Sequence, residues 1–191
     1  MIPQHNDKYD LRNYVYKIDN FIDQPTCKQL IKKISKLEWK SHGYWDEKNN
    51  TVHTYDNELS VLQTDIPEVK QLNSKIKYAI EEYISKFTTL FWSYNAYSYI
   101  RLNRYNKNTY MRTHCDHIYS LFDGTKKGVP VLSILGALNS NYTGGDFIMF
   151  EQDVIKLDPG NLLIFPSSFL FPHEVTPVLS GTRYTYISWC W

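Results

Sequence analysis

The chain has 191 residues, of which 42% are hydrophobic and 16% aromatic, so it can bury a core and does not have the composition of a disordered chain. Its 21 basic and 20 acidic residues leave a formal net charge of +1, which argues against nucleic acid as a partner, and no apolar run is long enough for a membrane-spanning helix. The polar N-terminus and three widely spaced cysteines predict a cytoplasmic protein without a signal peptide, disulfide scaffold or structural zinc site.

The first half of the chain is predicted to be helical. A weak alternation at 14–18 indicates one strand, after which Asp23 and Pro25 are typical of a helix start. The apolar residues that follow recur at helical spacing: Cys27, Leu30, Ile31, Ile34 and Leu37. Residues 41–60 are polar with scattered aromatics and predict a long loop. A second amphipathic helix is predicted over 66–87.

The second half is predicted to be a series of short strands. Apolar runs separated by glycine, proline and serine turns cover 94–102, 131–138, 146–150, 162–165, 173–179 and 183–189. This spacing is typical of an all-β sandwich or jelly roll. We therefore expect one domain over 1–191 of a mainly β class, with N-terminal helices. Residues 1–90 would form a helical support and loop, and 91–191 the jelly-roll core.

A pair of metal-ligating side chains occurs at His114 and Asp116, on either side of Cys115. On an extended strand, residues i and i+2 point to the same face with Cα atoms ~7 Å apart, so an imidazole and a carboxylate can converge on one ion. The β-rich half is where such backbone is expected. Strand parity turns Cys115 to the opposite face, where we expect it to pack.

A third ligand and a cation follow in the C-terminal region. His173 would complete the two-histidine, one-carboxylate facial triad of non-haem Fe(II) oxygenases. Arg183 is suited to bidentate capture of a carboxylate, such as the far carboxylate of 2-oxoglutarate. On a strand, Thr185 and Trp189 share the face of Arg183. Thr185 could add a hydroxyl to that carboxylate, and Trp189 could form a wall of the pocket.

Several short motifs occur in a fixed order around these residues. They are His114-x-Asp116, Tyr142-x-Gly144-Gly145-Asp146-Phe147, Asp158-Pro159-Gly160-Asn161, Phe165-Pro166 and His173-x-Val175-x-Pro177-Val178-x-Ser180-Gly181-x-Arg183-Tyr184. The ordered set resembles the 2-oxoglutarate- and Fe(II)-dependent dioxygenases of the prolyl 4-hydroxylase type, and looks most like compact microbial or phage-encoded members. The resemblance covers roughly residues 95–191, and Asp19-Asn20-Phe21-Ile22 also fits the opening of that family.

The resemblance implies a double-stranded β-helix with an active site at its mouth. Fe(II) would be bound by His114, Asp116 and His173, and 2-oxoglutarate by Arg183, with Tyr105 near this cosubstrate. With O2, the enzyme would hydroxylate a C–H bond, first of all in a peptidyl proline, and release succinate and CO2. Ascorbate is a further cofactor that the resemblance raises. A peptide, a protein or a small molecule would be the partner.

Two departures from the family pattern leave the substrate open. Asn108 and Met111 stand where the family often has glycine and tyrosine, with Tyr110 one place off, and many collagen-type members have lysine in place of Arg183. Alternatives are a hydroxylase of a free amino acid or other small molecule, an AlkB-type nucleic-acid demethylase, and a non-catalytic jelly-roll binding domain. The AlkB pattern has a second arginine six residues after the first, where this chain has Trp189.

The remaining histidines and loops receive no catalytic role. The predicted chemistry needs no general base, so none is assigned to His5, His42, His53 or His117. Substrate recognition is expected from the loops 41–60 and 117–130. Tyr44 and Trp45, in the first of these loops, could form a lid over the substrate.

Overall fold

The computed structural model describes residues 10–46, 49–87, 94–116 and 130–191. Its α-helices are α1 (Gln24–Ile34) and α2 (Pro67–Lys86), and a short 3-10 helix spans Leu11–Tyr14. The strands are β1 (Tyr16–Ile18), β2 (Lys40–Ser41), β3 (Gly43–Asp46), β4 (Thr51–Thr54), β5 (Ser60–Leu62), β6 (Arg101–Tyr105), β7 (Met111–His114), β8 (Leu132–Ala137), β9 (Thr143–Gly144), β10 (Phe147–Met149), β11 (Asp153–Val154), β12 (Leu162–Pro166), β13 (His173–Val175), β14 (Val178–Ser180) and β15 (Arg183–Cys190).

Both helices form where the apolar periodicity predicts them. The side chain of Asp23 caps α1 by accepting a hydrogen bond from the backbone N–H of Thr26 at 2.7 Å. The helix ends at Ile34, three residues before the predicted end, and Leu37 is exposed. Helix α2 follows the prediction to within one residue at each end. Its buried side chains all lie on one face: Val69, Leu72, Ile76, Ala79, Ile80 and Tyr83.

A seven-stranded antiparallel sheet forms the centre of the molecule, with the strand order β1-β12-β8-β15-β6-β5-β2. Its side chains alternate between two buried environments because the side-chain period of a strand is two residues. In β8, Leu132 and Ile134 belong to the apolar core shared with α1 and α2. Leu135 points the other way, into a second core. The sheet is therefore covered on both faces.

The second core lies between this sheet and a four-stranded antiparallel sheet of order β11-β10-β13-β7. It is rich in aromatic and aliphatic side chains, among them Tyr105, Met111, Phe147, Met149, Leu163, Phe165, Phe171 and Val175. Two facing antiparallel sheets match the predicted mainly β jelly roll. The pairs β9–β14 and β3–β4 lie outside these two sheets.

The prediction of a loop over 41–60 is wrong. Strands β3 and β4 pair as a hairpin, and β5 joins the central sheet beside β6 and β2. Strand β4 is exposed along its whole length, so no apolar alternation marks it, and its formation depends on pairing. With β1, which lies within the strand predicted at 14–18, three strands that precede residue 90 belong to the central sheet, and two of them, β2 and β5, were not expected.

Two strand predictions also need correction. Of the run at 94–102, only residues from Arg101 onward form β6, while Tyr97 makes an isolated bridge to Cys190. The run at 173–179 divides into β13 and β14 around Thr176 and Pro177. A proline has no N–H to donate to a strand ladder, which explains the break. Among the described residues, no helix is long and apolar enough to cross a membrane.

Candidate metal centre and pocket

Three predicted ligands meet at one end of the space between the two sheets. His114 ends β7, His173 begins β13, and the two residues are directly opposite in the antiparallel pair. Asp116 follows two residues after β7. The Oδ1 atom of Asp116 lies 3.6 Å from Nε2 of His114 and 3.9 Å from Nε2 of His173. One ligand atom from each of the three residues lies within 4.8 Å of the other two, so the three residues could hold one ion.

Backbone carbonyls orient both imidazoles for metal binding. Nδ1 of His114 lies 2.7 Å from the carbonyl oxygen of Arg112, and Nδ1 of His173 lies 3.1 Å from that of Phe171. A carbonyl oxygen only accepts, so in each ring Nδ1 carries the proton and donates it. The lone pair on each Nε2 then points toward Asp116. This arrangement fits a cation such as Fe(II) with two nitrogen ligands and one oxygen ligand.

Asp116 is buried, with 2% of its surface exposed. Its Oδ2 accepts a 2.6 Å hydrogen bond from the Ser133 hydroxyl, which lies 2.8 Å from the hydroxyl of Ser167. Burial alone would raise the pKa of Asp116, but the His173 and His114 rings and the hydrogen bond from Ser133 lower it overall. The carboxylate is therefore ionised at neutral pH and free to use Oδ1 toward a cation.

Burial and aromatic packing prepare the two histidine rings for metal binding in different ways. Burial, followed by the charge of His173, lowers the pKa of His114 to about 4, so this ring is neutral at physiological pH. The His173 ring packs against Phe147 and Phe165, with ring centroids 5.4 and 5.1 Å away. These aromatic contacts fix the ring orientation and keep solvent from its faces.

Arg183 lies on the face of the central sheet that lines the same pocket as the ligands, and it is 2% exposed. Its Nε and Nη1 atoms have no hydrogen-bond partner among the described residues, and its guanidinium lies 5.0 Å from the centroid of the Tyr105 ring. An unsatisfied buried donor is costly, so two such donors indicate an anionic ligand. Gly145 makes room for this side chain, because a Cβ there would lie 3.1 Å from Cδ of Arg183.

The structure places the other predicted residues as follows. Tyr105 is buried and lines the pocket opposite Arg183 in the β6–β15 pair. Trp189 also lines the pocket. Thr185 is buried on the same strand face and its hydroxyl has no partner among the described residues, but Thr185 is not a lining residue. Asn139 positions the start of β15 by donating to the carbonyl of Thr182 and accepting from the N–H of Tyr184.

The pocket itself contains side chains that the sequence reasoning did not assign. Its described lining includes His42, Arg101 and Asn103 besides the predicted residues. Arg101 and Asn103 share a face of β6 with Tyr105, so the two-residue period of the strand could have predicted that they line the pocket. His42, given no role from the sequence, is brought in by pairing with the distant Glu58 at 3.1 Å. No local pattern marks that contact.

The remaining predictions have mixed outcomes. The Cys115 thiol contacts the carbonyl of Phe169 at 3.5 Å, as expected for a packing residue, and burial raises the pKa of the thiol. Tyr44 lines the pocket, which agrees with a position near substrate without testing a lid. His5, the Trp45 side chain, and residues 117–129, which include His117, lie outside the described residues.

Comparison with known proteins identifies the C-terminal region. Residues 100–191 match the family described as the 2OG-Fe(II) oxygenase superfamily. A relative named PKHD-type hydroxylase, from Shewanella baltica, is 36% identical over 91 residues. That match covers 46% of this chain and 40% of the relative. The chain thus spans less than half the length of this relative.

Similar solved structures extend over nearly the whole chain. The viral collagen prolyl hydroxylase from Paramecium bursaria chlorella virus-1, solved as a 2OG complex, has a TM-score of 0.69 at 19% identity and covers 93% of this chain and 94% of its own. A prolyl hydroxylase from Trichoplax adhaerens, in complex with a hypoxia inducible factor peptide fragment, has a TM-score of 0.67 at 18% identity, covering 94% and 84%. These likenesses confirm the predicted double-stranded β-helix fold.

Proposed function

We propose, from the match of residues 100–191 to the 2OG-Fe(II) oxygenase superfamily, that the chain is an Fe(II)- and 2-oxoglutarate-dependent dioxygenase that hydroxylates a C–H bond, with a peptidyl proline as its leading substrate. The observation that carries the proposal is the convergence of His114, Asp116 and His173 beside the unpaired guanidinium of Arg183. A metal triad or a buried arginine alone would be common, whereas their combination in one pocket suits a metal with a dicarboxylate cosubstrate.

Different residues of the chain would bind the metal and the cosubstrate. Nε2 of His114, Nε2 of His173 and Oδ1 of Asp116 would hold Fe(II), and Nε and Nη1 of Arg183 would bind the far carboxylate of 2-oxoglutarate. When bound, Fe(II) with 2-oxoglutarate and O2 supplies the oxidising chemistry, which converts C–H to C–OH while the cosubstrate becomes succinate and CO2. The hydroxyl of Thr185 is a further candidate contact for the cosubstrate, and Tyr105 packs beside Arg183.

The apolar lining has its own function. Leu135, Phe147, Phe165, Val175 and Ile187 line the pocket around the polar groups. Apolar walls strengthen the interaction of Arg183 with a carboxylate and, once ligands fill the pocket, help to keep solvent from the reacting centre. Ser133 acts behind Asp116, where its hydrogen bond to Oδ2 holds the carboxylate with Oδ1 directed at the ligand group.

The names of similar proteins support a peptide substrate. The Shewanella relative is a PKHD-type hydroxylase, and the Trichoplax structure holds a peptide fragment. A net charge of +1 and Trp189 in place of a second arginine do not support the AlkB-type alternative. The complete donor set supports catalysis over a binding-only role. A cytoplasmic location, the use of ascorbate and a single functional domain over 1–191 remain predictions.

Succinate formation tests this proposal directly. Purified protein is incubated with Fe(II), 2-oxoglutarate and O2, with and without proline-containing peptides, and succinate and peptide mass are measured. We expect succinate formation that peptide stimulates, with a mass gain of one oxygen atom on the peptide. A His173→Ala variant serves as the control and should produce no succinate. Wild-type protein that forms no more succinate than this variant would contradict the proposal.

A further inference from the structure

Arg101 introduces a second cation into the pocket. It lies on β6, one strand from Arg183, on the face that carries Asn103 and Tyr105. Arg183 pairs with Tyr105 and Arg101 pairs with Ile187, so four residues separate the two arginines along neighbouring strands, or about 13 Å at the rise of a strand. The two guanidiniums therefore come from separate positions along the pocket wall, and one small dicarboxylate does not account for both.

Neighbouring side chains hold Arg101 in place. Its Nε donates a 3.1 Å hydrogen bond to Oδ1 of Asn103, and its guanidinium lies 4.8 Å from the centroid of the Trp189 ring. Its two Nη atoms make no hydrogen bond or ion pair to any residue that the structure describes. Stacking on an aromatic ring together with one hydrogen bond from Nε leaves the outer edge of the guanidinium ready for a ligand.

A count of charges shows that Arg101 lacks a counterion. Asp116 is the only carboxylate among the described lining residues. With Fe(II) and dianionic 2-oxoglutarate bound, the two positive charges of the metal cancel those of the cosubstrate, and the positive charge of Arg183 cancels the negative charge of Asp116. The positive charge of Arg101 is then left without a counterion. The nearby Glu58 cannot supply the missing charge because it forms a salt bridge to Arg112 at 3.2 Å. Burial lowers the pKa of Arg101, yet a guanidinium stays protonated in proteins.

We propose that Arg101 binds a carboxylate of the primary substrate, so that the enzyme hydroxylates molecules with a carboxylate near the oxidised carbon. A free amino acid, the C-terminal residue of a peptide and an acidic side chain next to the oxidised residue all offer this group. The proposal rests on the proposed function, because it concerns the substrate side of the same pocket. A paired guanidinium–carboxylate contact in this partly desolvated position would discriminate strongly against neutral analogues.

The experiment compares acids with their amides. Wild-type protein is supplied with Fe(II), 2-oxoglutarate and three kinds of probe: the common L-amino acids and their primary amides, a proline-ending tripeptide as acid and amide, and a blocked peptide with Glu or Gln beside proline. Succinate above the substrate-free rate and product mass are measured. We expect at least one acid to stimulate turnover roughly tenfold more than its neutral partner. The kind of acid that does so identifies the source of the carboxylate.

Variants then assign the effect to Arg101. We expect Arg101→Leu to raise KM for the preferred acid roughly 30-fold. Arg101→Lys should raise it less, because lysine keeps the positive charge but not the bidentate guanidinium. Arg104→Leu is the matched control, since Arg104 is on the same strand and packs against Trp39 away from the pocket. It should change this KM by less than about threefold. Circular dichroism and 2-oxoglutarate binding report whether each variant is folded.

The outcomes separate this inference from the proposed function. Equal stimulation by acid and amide, no stimulation by any acid, or an unchanged KM in folded Arg101→Leu would overturn the role of Arg101. Each of these results is compatible with a wild-type enzyme that still converts 2-oxoglutarate to succinate. Failure of the proposed function is a different result, in which wild type forms no succinate with or without any probe.

Discussion

One face of the central seven-stranded sheet packs against α1 and α2, and the other faces the four-stranded sheet and the pocket. Strand β15 contributes to both. Tyr186 and Cys190 point to the helices and are fully buried in the apolar core. Arg183 and Trp189 point to the pocket, and both carry buried polar atoms without a hydrogen-bond partner among the described residues. Successive residues of β15 therefore point alternately into the apolar core and into the pocket.

The helix face of the sheet contributes mainly to stability, and the pocket face contributes mainly to ligand binding and chemistry. The helix face is mostly apolar and closely fitted, as a packed core is. Gly136 illustrates the fit: a Cβ there would lie 1.9 Å from Cζ of Tyr186. The pocket face instead buries a charged group, the guanidinium of Arg183, whose Nε and Nη1 have no partner among the described residues, and a ligand would remove that cost. On the helix face the Tyr186 hydroxyl also has no such partner, but it is uncharged. Substitutions on the two faces should thus affect different measurements.

The largest effect is expected from Asp116→Ala on the pocket face. Losing the only oxygen ligand should reduce substrate-stimulated succinate formation by about 10³-fold or more, because several kcal/mol of metal-dependent stabilisation are lost. In metal-free buffer, the free energy of unfolding in urea should fall by only about 1–2 kcal/mol, because the loss of the hydrogen bond from Ser133 and of the nearby His rings' attraction is partly offset by removal of a buried charge. Asp146→Ala, at an exposed position, is the control for both measurements. A large loss of stability with retained turnover would reverse the roles of the two faces.

Arg183→Leu should act on the cosubstrate. We expect KM for 2-oxoglutarate to rise about 100-fold, because the carboxylate loses a buried cation and two hydrogen-bond donors. Arg183→Lys should give a KM between those of Arg183→Leu and wild type, because lysine keeps the positive charge but not the bidentate guanidinium. Steady-state kinetics with varied 2-oxoglutarate provides the test. An unchanged KM in folded Arg183→Leu would exclude this residue from cosubstrate binding.

Ile80→Ala tests the helix face. Ile80 is fully buried in α2, so truncation should lower the free energy of unfolding by about 2–5 kcal/mol, measured in urea. KM for 2-oxoglutarate should remain within about twofold of wild type at a temperature where the variant is folded, because the substitution leaves the pocket face intact. Tyr78→Ala, which alters an exposed side chain of the same helix, should change stability by less than about 0.5 kcal/mol. A raised KM for 2-oxoglutarate in Ile80→Ala would contradict the expectation that the helix face does not affect the pocket.

The smallest effect concerns pH. Burial, with the nearby charge of Arg101, lowers the pKa of His42 to about 4 despite the hydrogen bond to Glu58. Between the ordinary pKa of about 6.5 and this value, the unfolded chain binds a proton that the folded protein does not, so stability falls as the pH decreases through this range. His42→Gln should reduce the loss of unfolding free energy between pH 6.5 and pH 4.5 by about 1–2 kcal/mol. Parallel urea curves for the two proteins at both pH values would contradict this assignment.

Sequence patterns predicted the features that local periodicity or a motif determines. Helices α1 and α2 follow their apolar faces, and the His114–Asp116 spacing indicated a ligand pair on extended backbone. Strands β2 to β5 were missed; β2 and β4 are exposed along their whole length, so only pairing with a neighbouring strand identifies them. His42 enters the pocket through its backbone N–H bond to the carbonyl of Leu59 and its contact with Glu58. Such contacts between distant segments have no local signature.

The most direct test of the metal and cosubstrate assignment is anaerobic visible absorption of the protein with Fe(II) and 2-oxoglutarate. An iron–2-oxo acid chelate gives a weak charge-transfer band. We expect the band in wild type and its loss in His173→Ala, because His173 supplies one of the two nitrogen ligands. A wild-type protein without the band, or a His173→Ala variant that keeps it at full strength, would contradict the conclusion that His114, Asp116 and His173 form the iron site.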